Sequence, residues 1–366
     1  MGISDHDWAR LGLAQATETT CRDAEVPENV PLVVPCSDGG ADQIGCHVLP
    51  QSRSQRAPGL AVLDMALRLM PTDGGPGAGE STMPETNAPR SGDLRWEPIE
   101  AVIAEAEARL GTRLQSGSLV VKRRSISGVT DRRTWARIER RFPDRSPDQG
   151  WGTESTLMLG AVSRPAWFCG VSWYDRAADA LWRVDEVELV TEPTLRRGGP
   201  LTVDPRLTEG WWSDFNASMN ALACVTTLRT ATPDTVPATE EHVAEVITRV
   251  FPGVPVRVRR WTAAHADLNW ANVTGPRRAV LVDWEDWGLA PAGLDTASLW
   301  AASLAVPTLA ERLVRERQAD LTSPDGLLMR LFALAKIMTF PNEGDPLLAP
   351  ARREAEALVV QVCGVR

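Results

Sequence analysis

Residues Ala263 to Trp287 read AAHADLNWANVTGPRRAVLVDWEDW. The first part, HADLNWAN, sets His265, Asp267 and Asn272 at the spacing H-x-D-L-x-x-x-N. An apolar run follows, Ala279-Val280-Leu281-Val282, and stops abruptly on Asp283. Between the two, Thr274-Gly275-Pro276 reads as a turn. The pattern predicts a hairpin that brings Asp267, Asn272 and Asp283 to one place. A carboxylate at the end of a buried strand, opposite an uncharged amide oxygen, offers the hard-oxygen ligands that Mg2+ prefers.

The same spacing occurs in the catalytic loop of kinases. Phosphoryl transfer asks for positioning and charge neutralisation more than for covalent help. On that reading Asp267 is the catalytic base that takes the proton of an attacking hydroxyl, and Asn272 and Asp283 hold Mg2+. Asn272 can ligate through its oxygen without repelling phosphates. His265 stands with Asp267 in the catalytic set, more as a brace for the loop than as a group acting on substrate. An isolated H-x-D-x-x-x-x-N is a weak signal in a turn-rich segment; the hairpin and the terminal Asp283 strengthen it. Glu285 and Asp286 read equally well as loop-bracing carboxylates and as metal or substrate contacts.

HADLNWANV followed by VLVDWEDWGLAPAGLD resembles the catalytic motif and metal-binding segment of the aminoglycoside phosphotransferase (choline-kinase-like) family. The resemblance implies a protein-kinase-like fold and phosphorylation of small-molecule hydroxyls with ATP and Mg2+. The acceptor would be an antibiotic such as an aminoglycoside, or a metabolite. It implies Asp267 as base, Asn272 and Asp283 as metal ligands, and Asp295 in GLDTASLW as an anchor for the helix after the loop. The likeness is specific over 265–300 and diffuse elsewhere. Trp284 and Glu285 after Asp283 depart from the D-F-G of protein kinases, which fits small-molecule kinases better.

The rest of the sequence bounds this reading. A chain of 366 residues is long enough for two or three domains or lobes. The net charge of −9 argues against nucleic acid as the main partner and is compatible with a cationic acceptor. The six cysteines form no C-x-x-C and no zinc cluster, and reduced thiols are expected. No charged-then-apolar leader opens the chain, and no apolar run approaches the ~18 residues of a membrane span, so a cytoplasmic protein without a membrane segment is expected.

Residues 1–93 carry little pattern and read as a flexible extension and linker, rich in Gly, Pro, Ser and Thr near its end. Residues 94–195 read as a small β-rich, nucleotide-binding N-lobe. A helix over 98–110 precedes strands at 119–121, 134–139, 166–174 and 181–191. Residues 196–366 read as a helical, catalytic and substrate-binding C-lobe, with helices on the face Trp212, Phe215, Met219, Leu222 and over 239–251, 295–304, 308–317, 323–339 and 346–362. A short strand is expected at Val256 and Val258. The fold class is therefore α+β, with two kinase-like lobes behind a poorly patterned extension.

Nucleotide-binding residues are expected in the N-lobe. Ser125 to Asp131 reads as a small-residue turn around Gly128, able to bring backbone N–H groups onto phosphates. A kinase site also needs a basic strand residue paired to a helix Glu. The preferred pair is Arg137 with Glu154; Lys122 with Glu139 is the alternative. Arg in place of Lys keeps the charge but not the geometry. Two other functions stay open: a kinase-like protein that binds nucleotide or ligand without efficient transfer, and a metal-dependent phosphohydrolase using Asp283 and Glu285. Asp204, Glu209 and Asp214 are candidates to face a cationic acceptor.

Overall fold

Alternating side chains build a five-stranded antiparallel sheet in the computed structural model, which describes residues 92–141, 151–339 and 341–364. The expected extension over 1–93 falls almost wholly outside these residues. The strands are β1 (Val120–Val121), β2 (Ser125–Val129), β3 (Trp135–Arg141), β4 (Trp167–Asp175) and β5 (Ala180–Val187), in the order β1-β2-β3-β5-β4.

One face of this sheet is apolar. Ile126, Ala136, Ile138, Trp182 and Val184 are buried there with Ala106 and Leu110 of helix α1 (Glu100–Leu110). Gly111 ends that helix in the left-handed conformation, its N–H bonded to the Glu107 carbonyl, as glycine permits. The opposite face is charged. The register sets Ser127, Arg137 and Asp185 in one row and Ser125, Glu139 and Arg183 in the next. The period of two carries apolar residues to α1 and the charges to the other side. Trp173 and Trp182 stack on each other at 6.3 Å in the sheet core.

The chain then turns helical, as expected. After the single-turn α2 (Gly152–Ser155) and the sheet come α3 (Glu209–Ala223), α4 (Glu240–Val250), α5 (Leu294–Ala301), α6 (Pro307–Glu316), α7 (Gln318–Leu321), α8 (Pro324–Thr339) and α9 (Leu348–Gly364). Thr208 and Thr239 cap α3 and α4 by accepting from the N–H of Trp211 and His242. Every residue of α5 is buried, so the other helices are arranged around it. Residues of α4, α5, α8 and α9 form one core; the aromatic face of α3 forms another with Leu268, Trp270, Leu281, Trp284 and Trp287. The second core brings α3 under the stretch from which the reading began.

A two-stranded sheet, β6 (Trp261–Ala264) with β7 (Gly288–Pro291), brackets that stretch. The strand expected at Val256 and Val258 is displaced to β6. The Val258 N–H is taken by the Glu240 carboxylate (2.7 Å) and the Arg259 N–H by Asp325 (2.8 Å), which removes the donors a ladder would use. Cys169 and Cys363 are free thiols; Cys224 is disulfide-bonded, against the expectation of reduced cysteines. Among the described residues no helix is long and apolar enough to cross a membrane.

Candidate functional site

β6 delivers the chain into His265, and the loop that follows is held from three sides. Asp295, fully buried in the first turn of α5, accepts from the backbone N–H of His265 (2.8 Å) and Ala266 (3.2 Å). Ala266 has φ +68°, a left-handed conformation that costs a residue with a Cβ roughly 1–2 kcal/mol. Asp295 therefore anchors the loop itself, not only the helix it opens. His265 is also fully buried. Its Nδ1 accepts from the Asp267 N–H (3.3 Å) and its Nε2 donates to the Val282 carbonyl (2.9 Å), which fixes the tautomer. Burial pushes its pKa down to about 4, so the ring is neutral. His265 thus ties the two arms of the hairpin together.

Asn272 donates through Nδ2 to the Asp267 carboxylate (2.7 Å) and to the Asp267 carbonyl (2.8 Å). Both amide hydrogens are used, which leaves Oδ1 as the atom available to a cation. The arms are joined by Thr274 N–H to Val280 O (3.1 Å) and Val282 N–H to Asn272 O (2.9 Å). The expected strand over 279–282 is no more than this: Leu281 makes an isolated bridge to Val273, and its N–H goes to Ser163 instead (2.9 Å). Asp283 follows directly, also left-handed at φ +69°. Asp267 and Asn272 are thus bonded to each other, and Asp283 directly follows the Val282 whose N–H goes to the Asn272 carbonyl.

The sheet side differs from expectation. Arg137 projects from the charged face of β3, but its partner is not Glu154. One terminal nitrogen donates to the Asp283 carboxylate and the other to Glu285 (2.8 Å). Glu154 instead accepts from Arg183 of β5 (3.0 Å), which Asp185 and Ser172 also hold. The cause is the seat of α2. A Cβ on Gly152 would lie 2.4 Å from the Trp284 carbonyl and 2.3 Å from that of Glu285, so the backbones touch. Trp287 locks the contact by donating to Gly152 O (2.9 Å) and Ser155 Oγ (2.8 Å). Docked this way, α2 turns Glu154 toward β5 and leaves Arg137 to the acidic loop. The alternative pair fails too: Lys122 is exposed, and Glu139 accepts from Arg141 (2.5 Å).

Gly128 is likewise misplaced by the sequence reading. It lies inside β2, not in a turn, and a Cβ there would meet Leu119 at 3.1 Å and Ser118 at 3.3 Å. It is covered by neighbouring side chains and offers no open cradle. The turn falls earlier, at Lys122-Arg123-Arg124, closed by Lys122 N–H to Ser125 O (2.8 Å).

Arg229, unremarked in the sequence, supports the acidic loop from behind. Its guanidinium donates to the carbonyls of Trp287 (2.7 Å) and Glu285 (3.2 Å). Burial and the nearby Arg141 charge lower its pKa to about 10. A lone Arg in a loop carries no pattern that would have found it. Glu139 is pushed up to about 7 by burial and by Glu285. Of the carboxylates considered for a cationic acceptor, Asp204 accepts from Thr308 (3.0 Å), Glu209 pairs with Arg312 (2.7 Å), and Asp214 lies 3.6 Å from Arg278. The connection after β5, Glu188 to Glu192, walls a cavity of about 550 Å³ with Arg164, Ser218 and Val280. None of Arg137, Asp267, Asn272 or Asp283 lines it.

No family model matches the chain, and no curated protein does. Solved structures do. It is similar to an amicoumacin kinase in complex with AMP-PNP, Ca2+ and Ami, at 10% identity and TM-score 0.43, over 72% of this chain and 92% of that one. It is similar to a spectinomycin phosphotransferase in complex with ADP and its namesake antibiotic, at 11% identity and TM-score 0.44, over 74% and 99%. A choline/ethanolamine kinase family protein from Mesorhizobium loti gives 16% identity and TM-score 0.39, over 72% and 95%. At such identities and TM-scores the chemistry has to be read from the site residues themselves.

Proposed function

We propose that this chain transfers the γ-phosphate of ATP, with Mg2+, to a hydroxyl of a small molecule, in the manner of an aminoglycoside-phosphotransferase-like kinase. The observation that carries this reading is the clamped loop: Asp267 oriented by Asn272, the loop pinned by His265 and Asp295, and Asp283 beside it facing Arg137. The donor set fits Mg2+, since Asn272 Oδ1 and the Asp283 carboxylate are hard oxygens close to the loop. When bound there, the ion would offset the charge of the phosphates.

The chain's own residues account for the rest. The Asp267 carboxylate, its rotation fixed by Asn272, accepts the proton of the acceptor hydroxyl. The hydroxyl oxygen forms the new bond to the γ-phosphorus as the bond to the β-phosphate oxygen breaks, and ADP leaves. Arg137 supplies a fixed positive charge at the phosphates. His265 stays neutral and moves no proton.

The test is ADP release over a panel of hydroxyl compounds, antibiotics included, with wild type and Asp267→Asn. General-base assistance is worth about 10²–10⁴-fold, so the variant should lose about that factor while keeping ATP affinity. Equal turnover in the two proteins would remove Asp267 from the chemistry. The second reading is a kinase-like protein that binds nucleotide without efficient transfer. It is favoured by one observation, Arg137 engaged by both Asp283 and Glu285. It predicts nucleotide binding with no ADP release by either protein.

A further inference from the structure

The cavity beside the connection after β5, about 550 Å³, is large enough to enclose a small molecule. Its walls are the loop 160–164, the connection 188–192, Asp214, Ala217 and Ser218 on α3, and Arg278 with Val280 of the hairpin. These walls are fixed to one another. The Ser163 N–H donates to Ser218 Oγ (3.1 Å), and the Leu281 N–H donates to the Ser163 carbonyl (2.9 Å). No described residue of β1, β2 or β3 lines the cavity, so it is distinct from the charged face that carries Arg137.

One partly buried charge on these walls has no counterpart. Arg164 donates through Nη1 to the carbonyl of the next residue, Pro165 (3.0 Å). Its Nε is buried with no hydrogen-bond partner, and its Nη2 makes no hydrogen bond or ion pair among the described residues. Burial lowers its pKa, and no carboxylate stands close enough to oppose that. Arg183 and Arg317, also withdrawn from water, are paired with Glu154 and Asp185 and with Asp320. A charge taken out of water without a partner is costly. Of the acids on the cavity walls, Glu188 is exposed and accepts from the Ala166 N–H (3.2 Å). Glu192 accepts from the Arg277 N–H (2.7 Å), and Asp214 lies 3.6 Å from Arg278. None of them pairs with Arg164.

We propose that this cavity is a second ligand site, separate from the Asp267 loop, for a small molecule with one carboxylate on an apolar body, the carboxylate held side-on by Arg164 Nε and Nη2. The Nε–H and one Nη2–H point the same way, and a carboxylate presents two oxygens at the matching separation. Val162, Val190 and Val280 supply apolar surface for the body of the ligand. Glu188, Glu192 and Asp214 on the same walls disfavour a second negative charge, so a phosphate monoester should be rejected. The site does not depend on the phosphotransferase reading.

The test is ligand-observed NMR titration with benzoate, benzamide and phenyl phosphate, for wild type, Arg164→Gln and Ala217→Phe. Wild type should bind benzoate about tenfold or more tightly than benzamide, the scale of one charge-assisted hydrogen bond, and phenyl phosphate more weakly than benzoate. Arg164→Gln should remove the preference for benzoate and leave benzamide unchanged. A residue that only held the fold together would weaken both ligands alike, and that result overturns the proposal. Ala217 is exposed on α3, so Ala217→Phe should fold as wild type does, and by filling the cavity it should weaken benzoate and benzamide together. Added AMP-PNP should not displace benzoate. Displacement would assign the cavity to the nucleotide and overturn the proposal. So would equal binding of benzoate and benzamide to wild type, tighter binding of phenyl phosphate, or wild-type benzoate affinity in Ala217→Phe.

Discussion

Replacing Asp295 by Asn tests how the loop around Asp267 is held. The Asp295 carboxylate meets two backbone N–H groups, at 2.8 and 3.2 Å, and is fully buried. Burial leaves the acid largely protonated at neutral pH, so each bond is worth the ordinary net value of about 0.5–1.5 kcal/mol. Asn keeps the shape but has one acceptor oxygen, so one of the two N–H groups must face an NH2. An unsatisfied buried donor costs about 1–3 kcal/mol. Against that stands relief of the cost of burying the acid, which raises the Asp295 pKa to about 8. The net expectation is a loss of about 1–3 kcal/mol, at about 1–2 °C of melting temperature per kcal/mol for a chain of 366 residues.

The functional effect should be larger than the stability effect. Ala266, left-handed at φ +68°, donates its N–H to Asp295, and Asp267 is the next residue. A displacement of about 1 Å costs about 10²-fold in rate. Thermal unfolding gives the first number. ADP release at 20 °C and saturating ATP, well below the transition, gives the second per folded molecule. A melting temperature that falls while turnover stays at the wild-type level would show that Asp295 stabilises α5 without positioning the loop. Unchanged values of both would refute the reasoning entirely.

Other outcomes follow from single contacts. Gly152→Ala should lower the melting temperature by several degrees, because its Cβ would meet backbone carbonyl oxygens that cannot swing aside, and overpacking costs typically 1–3 kcal/mol; a wild-type transition would mean that α2 does not rest on Trp284 and Glu285. Glu154→Gln should leave ATP affinity in a calorimeter unchanged, since Glu154 holds Arg183 rather than Arg137; a tenfold loss would restore it to the phosphate site. The His265 ring should remain neutral at pH 6 in nitrogen NMR spectra. Its folded pKa of about 4 lies below the ordinary 6.5, so its contribution to stability is complete above 6.5 and is lost as pH falls through 4. A His265 resonance titrating near 6.5 would contradict its burial.

What the sequence made legible is local. His265, Asp267 and Asn272 lie within eight residues, and the hairpin that adds Asp283 closes within eleven more, so spacing alone set their geometry. The helices were legible for a similar reason: the face Trp212, Phe215, Met219, Leu222 and the cap Thr239 act within a few turns. The pairing of charges across the site was not legible, because it depends on how α2 sits on a loop more than 130 residues away. Charge complementarity allowed Arg137–Glu154, Lys122–Glu139 and Arg137–Asp283 alike, and nothing in composition ranks them. Two small features decided it. Gly152 lets the backbones touch, which turns Glu154 away. And the residue on β3 is Arg: an ammonium is a point charge, whereas a guanidinium presents two separated terminal donors, one for Asp283 and one for Glu285. Keeping the charge while changing the geometry, noted from sequence as a weakness of the assignment, is what couples this sheet to the acidic loop. Arg137→Lys should accordingly retain one of these two contacts and lose the other.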